Sequence, residues 1–66
     1  MTFKNKIRDL CQKKGLTVYK VEKDLGLGNG TIGHWDKSDP KVQTLQKVCD
    51  YLDVTMDDVL KDVYTQ

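Results

Sequence analysis

Three joints of similar composition divide the chain into short stretches of helical periodicity. Each joint begins with a residue that tolerates the left-handed backbone region, continues with an apolar residue, and ends with a candidate for the start of a new helix. The joints are residues 15–17 (Gly-Leu-Thr), 26–28 (Gly-Leu-Gly) and 53–55 (Asp-Val-Thr). Because a helix that stops and restarts within three residues must turn sharply, this pattern favours a compact bundle of short, crossing helices.

Between the joints, apolar residues recur every three or four positions, and no stretch alternates as a strand would. The predicted inward faces are Phe3, Ile7, Leu10 and Cys11; Val18, Val21 and Leu25; Ile32 and Trp35; Val42, Leu45, Val48, Cys49 and Leu52; and Met56, Val59, Leu60 and Val63. Pro40 separates the third helix from the fourth. The sequence therefore predicts one all-α domain over residues 1–66, a compact five-helix orthogonal bundle with a helix-turn-helix around Gly26.

Size and charge restrict the function. A chain of 66 residues cannot build a core and also enclose a deep substrate cavity, which argues against an enzyme. The net charge is only +1, but residues 1–24 carry seven cations and three acids, whereas residues 48–66 carry one cation and five acids. We therefore expect a basic front half and an acidic end. No apolar stretch approaches the roughly 18 residues of a spanning helix and no secretory signal is apparent, which predicts a cytoplasmic protein.

Reactive side chains do not form a recognisable set. His34 is the only histidine, and Cys11 and Cys49 lie on apolar faces, where we expect buried thiols. The aspartates near the end of the chain lack the spacing of a calcium loop. The sequence therefore predicts no catalytic residue, no metal ion and no cofactor.

The segment 28–33 (Gly-Asn-Gly-Thr-Ile-Gly) allows several interpretations. It matches the dinucleotide-binding pattern G-x-G-x-x-G and contains an Asn-Gly hairpin signal, but both interpretations require strands that the flanking residues do not favour. On a helix, Ile32 and Trp35 would point inward, leaving Gly30 and His34 outside, flanked by Gly33 and Lys37. An outward face of small and polar groups suits close approach by a large partner.

Residues 15–36 resemble the lambda-repressor-like family, the Cro-type (xenobiotic-response-element) helix-turn-helix proteins. The similarity lies in Gly15-Leu16-Thr17, Lys20, Leu25-Gly26-Leu27, Thr31-Ile32 and Trp35-Asp36, and continues through Pro40, Thr44-Leu45, Tyr51-Leu52 and Val54-Thr55-Met56-Asp57 to Leu60. It covers about residues 4–61 and leaves 62–66 as a tail. The resemblance implies five α-helices, dimeric binding to near-palindromic double-stranded DNA operators, and transcriptional control, commonly repression.

The resemblance also implies which residues contact DNA. The third helix, about residues 29–36, would lie in the major groove, with base-reading positions at Gly28, Asn29, Gly30 and His34. Phosphate contacts would come from Thr17, Tyr19, Lys20, Thr31, Lys37 and Ser38, with help from Lys41. The candidates for a homodimer contact are Met56, Val59, Leu60, Val63 and Tyr64. Because two reading positions are glycines, we expect modest direct readout and a larger share for DNA shape.

Three positions depart from the family pattern. Glu22 stands where alanine is usual at a close helix crossing, so its carboxylate must reach the edge of the contact or find a partner such as a lysine. Val18 replaces a frequent phosphate-binding glutamine, and Asp53 replaces a frequent glycine.

The sequence leaves open a protein-interaction module of the same fold without specific DNA binding. It also leaves open dimerisation in free solution, and whether the natural product is a small regulator or one domain of a longer protein.

Overall fold

The computed structural model describes residues 1–64 and consists of four α-helices and one 3₁₀ helix. In chain order these are α1 (Phe3–Lys13), α2 (Val18–Asp24), the 3₁₀ helix (Ile32–Asp36), α3 (Val42–Leu52) and α4 (Met56–Tyr64). No strand occurs among these 64 residues, so the all-helical prediction is confirmed and the hairpin and dinucleotide-binding interpretations lack their strands. The predicted tail, residues 62–66, is helical as far as Tyr64, and residues 65 and 66 lie outside the described residues.

The third helix differs from the prediction in type and in starting point. The sequence predicts an α-helix over about residues 29–36, whereas residues 29–31 form a turn and the 3₁₀ helix begins at Ile32. The physical reason is Gly30, whose φ of 86° cannot belong to a right-handed helix. The prediction of five α-helices is therefore corrected to four α-helices and one 3₁₀ helix.

All three joints end the preceding helix in the same way. The left-handed residues are Gly15 (φ 71°), Gly26 (φ 71°) and Asp53 (φ 58°), as predicted. The amides of the following apolar residues, Leu16, Leu27 and Val54, donate to the carbonyl oxygens of Cys11, Glu22 and Cys49 at 2.8, 2.8 and 3.0 Å. This is the Schellman arrangement, which satisfies carbonyl groups at the helix end and directs the apolar side chain back towards the core.

The core is built from the inward faces of all five helices. Its buried residues are Phe3, Ile7, Cys11, Val21, Ile32, Trp35, Leu45, Val48, Cys49, Leu52 and Val59. α1 packs against the 3₁₀ helix, α2 and α4, and α3 packs against α4. The two cysteines are free and buried, as predicted, and burial raises the pKa of both thiols.

Polar contacts tie α1 to the rest of the surface. The ammonium group of Lys4 lies 3.7 Å from the Asp36 carboxylate at the end of the 3₁₀ helix. Lys6 forms an ion pair with Asp62 of α4, and this contact lowers the pKa of the Asp62 carboxyl. None of the helices described for residues 1–64 combines the length and apolar character needed to cross a bilayer.

Candidate nucleic-acid interface

The 3₁₀ helix has one face in the core and one in solvent. Ile32 is fully buried and Trp35 is only 6% exposed, so both anchor the helix as predicted. Gly33, His34 and Lys37 are exposed on the other side. The predicted outward face of small and polar groups is therefore present at these three residues, whereas Gly30, also predicted to point outward, is half-buried in the preceding turn.

An open groove joins this region to the start of α2. It is lined by Tyr19, Glu22, Lys23, Leu27 and Asn29. Tyr19 is 62% exposed and Asn29 is also exposed, so a predicted phosphate-binding residue and a predicted base-reading residue share one groove. The structure brings these two side chains to the same part of the surface.

A second groove runs between the 3₁₀ helix and the start of α3. It is lined by Thr31, His34, Trp35, Ser38, Asp39, Pro40, Lys41 and Thr44. Four of the residues assigned to DNA by resemblance therefore lie together in this groove: Thr31, His34, Ser38 and Lys41. The Thr31 hydroxyl donates to the Gly28 carbonyl at 2.7 Å and the Ser38 hydroxyl donates to the His34 carbonyl at 3.4 Å. Each hydroxyl must rotate away from its carbonyl before it can donate to a phosphate.

The lysines near these grooves differ in their availability. Lys37 and Lys41 are exposed and have no ion-pair partner within residues 1–64. Lys20 instead lies 3.2 Å from the Asp24 carboxylate, which also accepts a 2.5 Å hydrogen bond from the Tyr51 hydroxyl. The bonds from Tyr51 and Lys20 hold the pKa of Asp24 below its usual value. Because exposed ion pairs are weak, Lys20 can exchange its partner for a phosphate at little cost.

Thr17 has a structural role at the edge of the first groove. Its side-chain oxygen accepts the Lys20 amide at 3.1 Å and caps the start of α2. The N-terminus of α2, with Tyr19 in its first turn, is thereby held next to Asn29 across the groove.

The three glycines of this region are not equivalent. Gly30 is required by its φ of 86°, at which any L side chain is strained. A methyl group on Gly28 would lie 3.3 Å from the Thr31 hydroxyl oxygen, which is a tight contact. A methyl group on Gly33 would have no neighbour within 4 Å. Of these three glycines, therefore, only Gly33 could carry a side chain in the free protein without backbone strain or a tight contact.

Glu22 contacts this region in a way that sequence reasoning did not predict. The residue is buried, with 3% exposure, and its carboxylate accepts the amides of Gly30 at 3.3 Å and Ile32 at 2.8 Å. The lysine partner suggested from the sequence is replaced by these backbone groups, and Glu22 forms no ion pair within residues 1–64. Two hydrogen bonds to amides satisfy a buried carboxylate as an ion pair would.

A partial signal for this contact lies in the joints. Thr17 and Thr55 each cap their own helix, accepting the amides of Lys20 and Asp58 at 3.1 Å. The middle joint has Gly28 in the same place and lacks a capping oxygen. The missing capping side chain indicates that amides after this joint need an acceptor from elsewhere in the molecule, but it does not identify Glu22 as that acceptor.

The residues assigned to a dimer contact differ in exposure. Met56, Leu60 and Val63 are half-buried, and Tyr64 is 59% exposed. Val59 is fully buried, so its side chain belongs to the core and offers no surface to a second copy.

Tyr64 already has partners within its own chain. Its ring meets the Phe3 ring edge to face, with centroids 5.8 Å apart, and its hydroxyl donates to Asp39 at 3.3 Å. Partial burial and the Asp39 carboxylate raise the pKa of Tyr64.

Comparisons with known proteins agree with the architecture of this surface. Neither the curated proteins nor the solved structures gave a significant match. Residues 6–64 match the family described as the Cro/C1-type HTH DNA-binding domain. This match covers well over half of the chain and includes residues 62–64, which the resemblance had left as tail. The chain therefore belongs to the Cro/C1-type helix-turn-helix family of DNA-binding domains.

Proposed function

We propose that this protein is a small transcriptional repressor that acts in the cytoplasm and binds a specific double-stranded DNA operator. The turn of residues 28–31 and the 3₁₀ helix enter the major groove. The observation that carries this proposal is the exposed face of Asn29, Gly33 and His34, bordered by two grooves that hold hydroxyl groups and two lysines. Membership of a family of DNA-binding domains supports DNA as the partner of this face.

Base recognition rests on Asn29 and His34. An asparagine amide can donate to and accept from adenine in the major groove, and a histidine can donate to guanine. Each such contact is worth about 1–3 kcal/mol of discrimination. Gly28 and Gly30 add no side chain, so DNA shape and deformability supply the rest of the specificity.

Phosphate binding rests on the two borders of this face. On one border, Lys41 lines the second groove and Lys37 follows the 3₁₀ helix. On the other border, Tyr19 lines the first groove and Lys20 follows it in α2. Thr17, Thr31 and Ser38 supply hydroxyl groups. These contacts position the protein on DNA without reading sequence.

The proposal includes a homodimer on a near-palindromic operator, with which the size of one copy is compatible. The protein measures 31 Å along its longest axis, so two adjacent copies can place equivalent turns about 34 Å apart, one turn of duplex. The exposed parts of Met56, Leu60, Val63 and Tyr64 are the candidate contact.

The competing function, a protein-interaction module without specific DNA binding, rests on glycines at reading positions. The backbone conformation of Gly30 accounts for one of them, because its φ of 86° favours glycine whatever the function of the surface. Gly33 is consistent with both functions, because a bare backbone also allows a DNA backbone to approach closely.

Titration of a labelled random duplex at several salt concentrations tests DNA binding. With Lys20, Lys37 and Lys41 at phosphates, we expect log K to fall with log salt with a slope of about −3 for each bound copy. Lys37→Ala, next to the 3₁₀ helix, should reduce that slope by about 1, whereas Lys47→Ala, which removes an exposed positive charge from the middle of α3, should not. Absence of salt-dependent binding would favour the interaction module.

Selection of bound sites from a random DNA pool then identifies the operator. On that operator, Asn29→Ala should relax base preference at one position, and Lys37→Ala should weaken all sequences alike. Equal behaviour of the two variants would contradict the assignment of readers.

A further inference from the structure

We propose that Glu22 is a positioning residue for base readout, whose carboxylate holds the turn of residues 28–31 in the conformation that presents Asn29 to DNA. This inference rests on the proposed function, because it names the residue on which the specificity of that surface depends. Glu22 itself is buried and does not contact the DNA.

Three hydrogen bonds from the turn and its flanks converge on Glu22. Its backbone carbonyl accepts the Leu27 amide at 2.8 Å, just before the turn. Its two carboxylate oxygens accept the amides of Gly30, within the turn, and Ile32, just after it, at 3.3 and 2.8 Å. Glu22 therefore holds a residue before the turn, a residue within it and the residue after it: Leu27, Gly30 and Ile32.

The Gly30 amide belongs to the peptide group that joins it to Asn29. Fixing that group restricts the backbone dihedral angle that directs the Asn29 side chain. Gly28 and Gly30 flank Asn29, and glycines give the free chain a wide choice of conformations. Without an external anchor, the turn would not stay within the roughly 0.5 Å that a recognition site requires.

The other described hydrogen bonds of the turn lie within it or join it to the 3₁₀ helix, where the His34 amide donates to the carbonyl oxygens of Gly30 and Thr31 at 3.1 and 3.3 Å. The amide and hydroxyl of Thr31 both donate to the Gly28 carbonyl, at 3.1 and 2.7 Å. These bonds close the turn upon itself but do not attach it to α2. The carboxylate of Glu22 supplies that attachment, so it sets the orientation of Asn29 relative to Tyr19 across the groove.

Glu22→Gln separates positioning from folding, since it preserves shape and leaves one carbonyl oxygen for two amides. We expect affinity for the selected operator to fall between about fivefold and about 100-fold, the range of one base-reading contact. Affinity for a random duplex and its salt slope should stay within about twofold, because the lysines are unchanged. The matched control is Thr55→Ala, which removes a cap from α4 and should leave the ratio of the two affinities unchanged.

Amide hydrogen exchange gives a readout that needs no DNA. In Glu22→Gln, exchange at Gly30 and Ile32 should accelerate at least about tenfold, while exchange at Asp58, held by Thr55, should not change. If wild type shows no salt-dependent DNA binding, the proposed function fails, and the exchange data still decide whether Glu22 positions the turn.

A second variant covers the case in which Glu22→Gln does not fold. Chemical synthesis can replace the amide between Thr31 and Ile32 by an ester, which removes the donor and leaves Glu22 intact. The ester should lower operator affinity more than random-duplex affinity. The proposal is overturned if either variant lowers both affinities by the same factor, or if exchange at Gly30 is unchanged in Glu22→Gln.

Discussion

The joints at residues 26–28 and 53–55 end the preceding helix in the same way but cap the next helix differently. Both close the preceding helix with a Schellman arrangement around a left-handed residue, Gly26 or Asp53. The α3–α4 joint then caps its next helix with its own Thr55. The middle joint has no such residue and receives its cap from Glu22, eight and ten positions before the amides that it binds. A purely structural joint is thus encoded locally, whereas the joint that carries the proposed DNA-reading surface depends on tertiary structure.

The largest expected difference between the joints is the stability cost of removing each cap. Glu22→Ala leaves two amides without their acceptor, one of them buried, and should lower the free energy of unfolding by about 2–4 kcal/mol. Thr55→Ala removes one exposed cap and should cost about 1 kcal/mol. Urea denaturation of both variants measures the difference, and equal costs would show that the two caps are equivalent.

The left-handed residues provide the next test. Gly30→Ala places a side chain at φ 86° and should cost about 1–2 kcal/mol. Asp53→Gly relieves a milder strain but gives the unfolded chain more freedom, so its effect should be within about 0.5 kcal/mol of zero. Equal losses of unfolding free energy in these two variants would contradict the strain assigned to Gly30.

Substitution of Gly33 tests whether this position of the 3₁₀ helix favours DNA binding over stability. Gly33→Ala meets no atom in the free protein and should raise the free energy of unfolding by about 0.4–1 kcal/mol. Operator affinity should fall nonetheless, because the added methyl group lies on the face that approaches DNA. Thermal unfolding and operator titration of the same variant measure both effects, and unchanged affinity would place the DNA elsewhere.

The smallest effect concerns one carboxylate in each of the helices α2 and α4. Asp24, at the end of α2, and Asp62, in α4, both have pKa values below the usual value of an aspartate, because of their hydrogen bonds with Tyr51 and with Lys6 respectively. The folded state therefore binds fewer protons, so both contributions are present above about pH 4 and are lost as pH falls through the lowered pKa values. Asp24→Asn and Asp62→Asn should each reduce the acid-induced loss of stability in urea titrations between about pH 4 and pH 2. The exposed Asp57→Asn is the control.

The features predictable from the sequence are those that depend on neighbours along the chain. The left-handed residues, the anchoring of Trp35 and the burial of both cysteines were accessible to periodicity and joint composition. The inward faces of the helices were accessible too, except that Val42, predicted to point inward at the start of α3, is 70% exposed. The 3₁₀ helix was not, because an Asn-Gly pair is compatible with a helix start, a turn or a hairpin. The partner of Glu22 was not either, because a contact between a side chain and distant backbone amides leaves no periodic trace.

The contact between α1 and α4 has a consequence for how the chain folds. Lys6 and Asp62 are separated by 56 positions, whereas each joint closes over five. Closing so long a loop costs more conformational entropy than closing a local turn, so we expect the joints to form before the contact between α1 and α4. Before α4 packs against α1, Phe3 has no contact with the aromatic ring of Tyr64, and part of the packing surface of α1 is uncovered. Folding should consequently be cooperative, with a chain cut before α4 losing order at its opposite end as well.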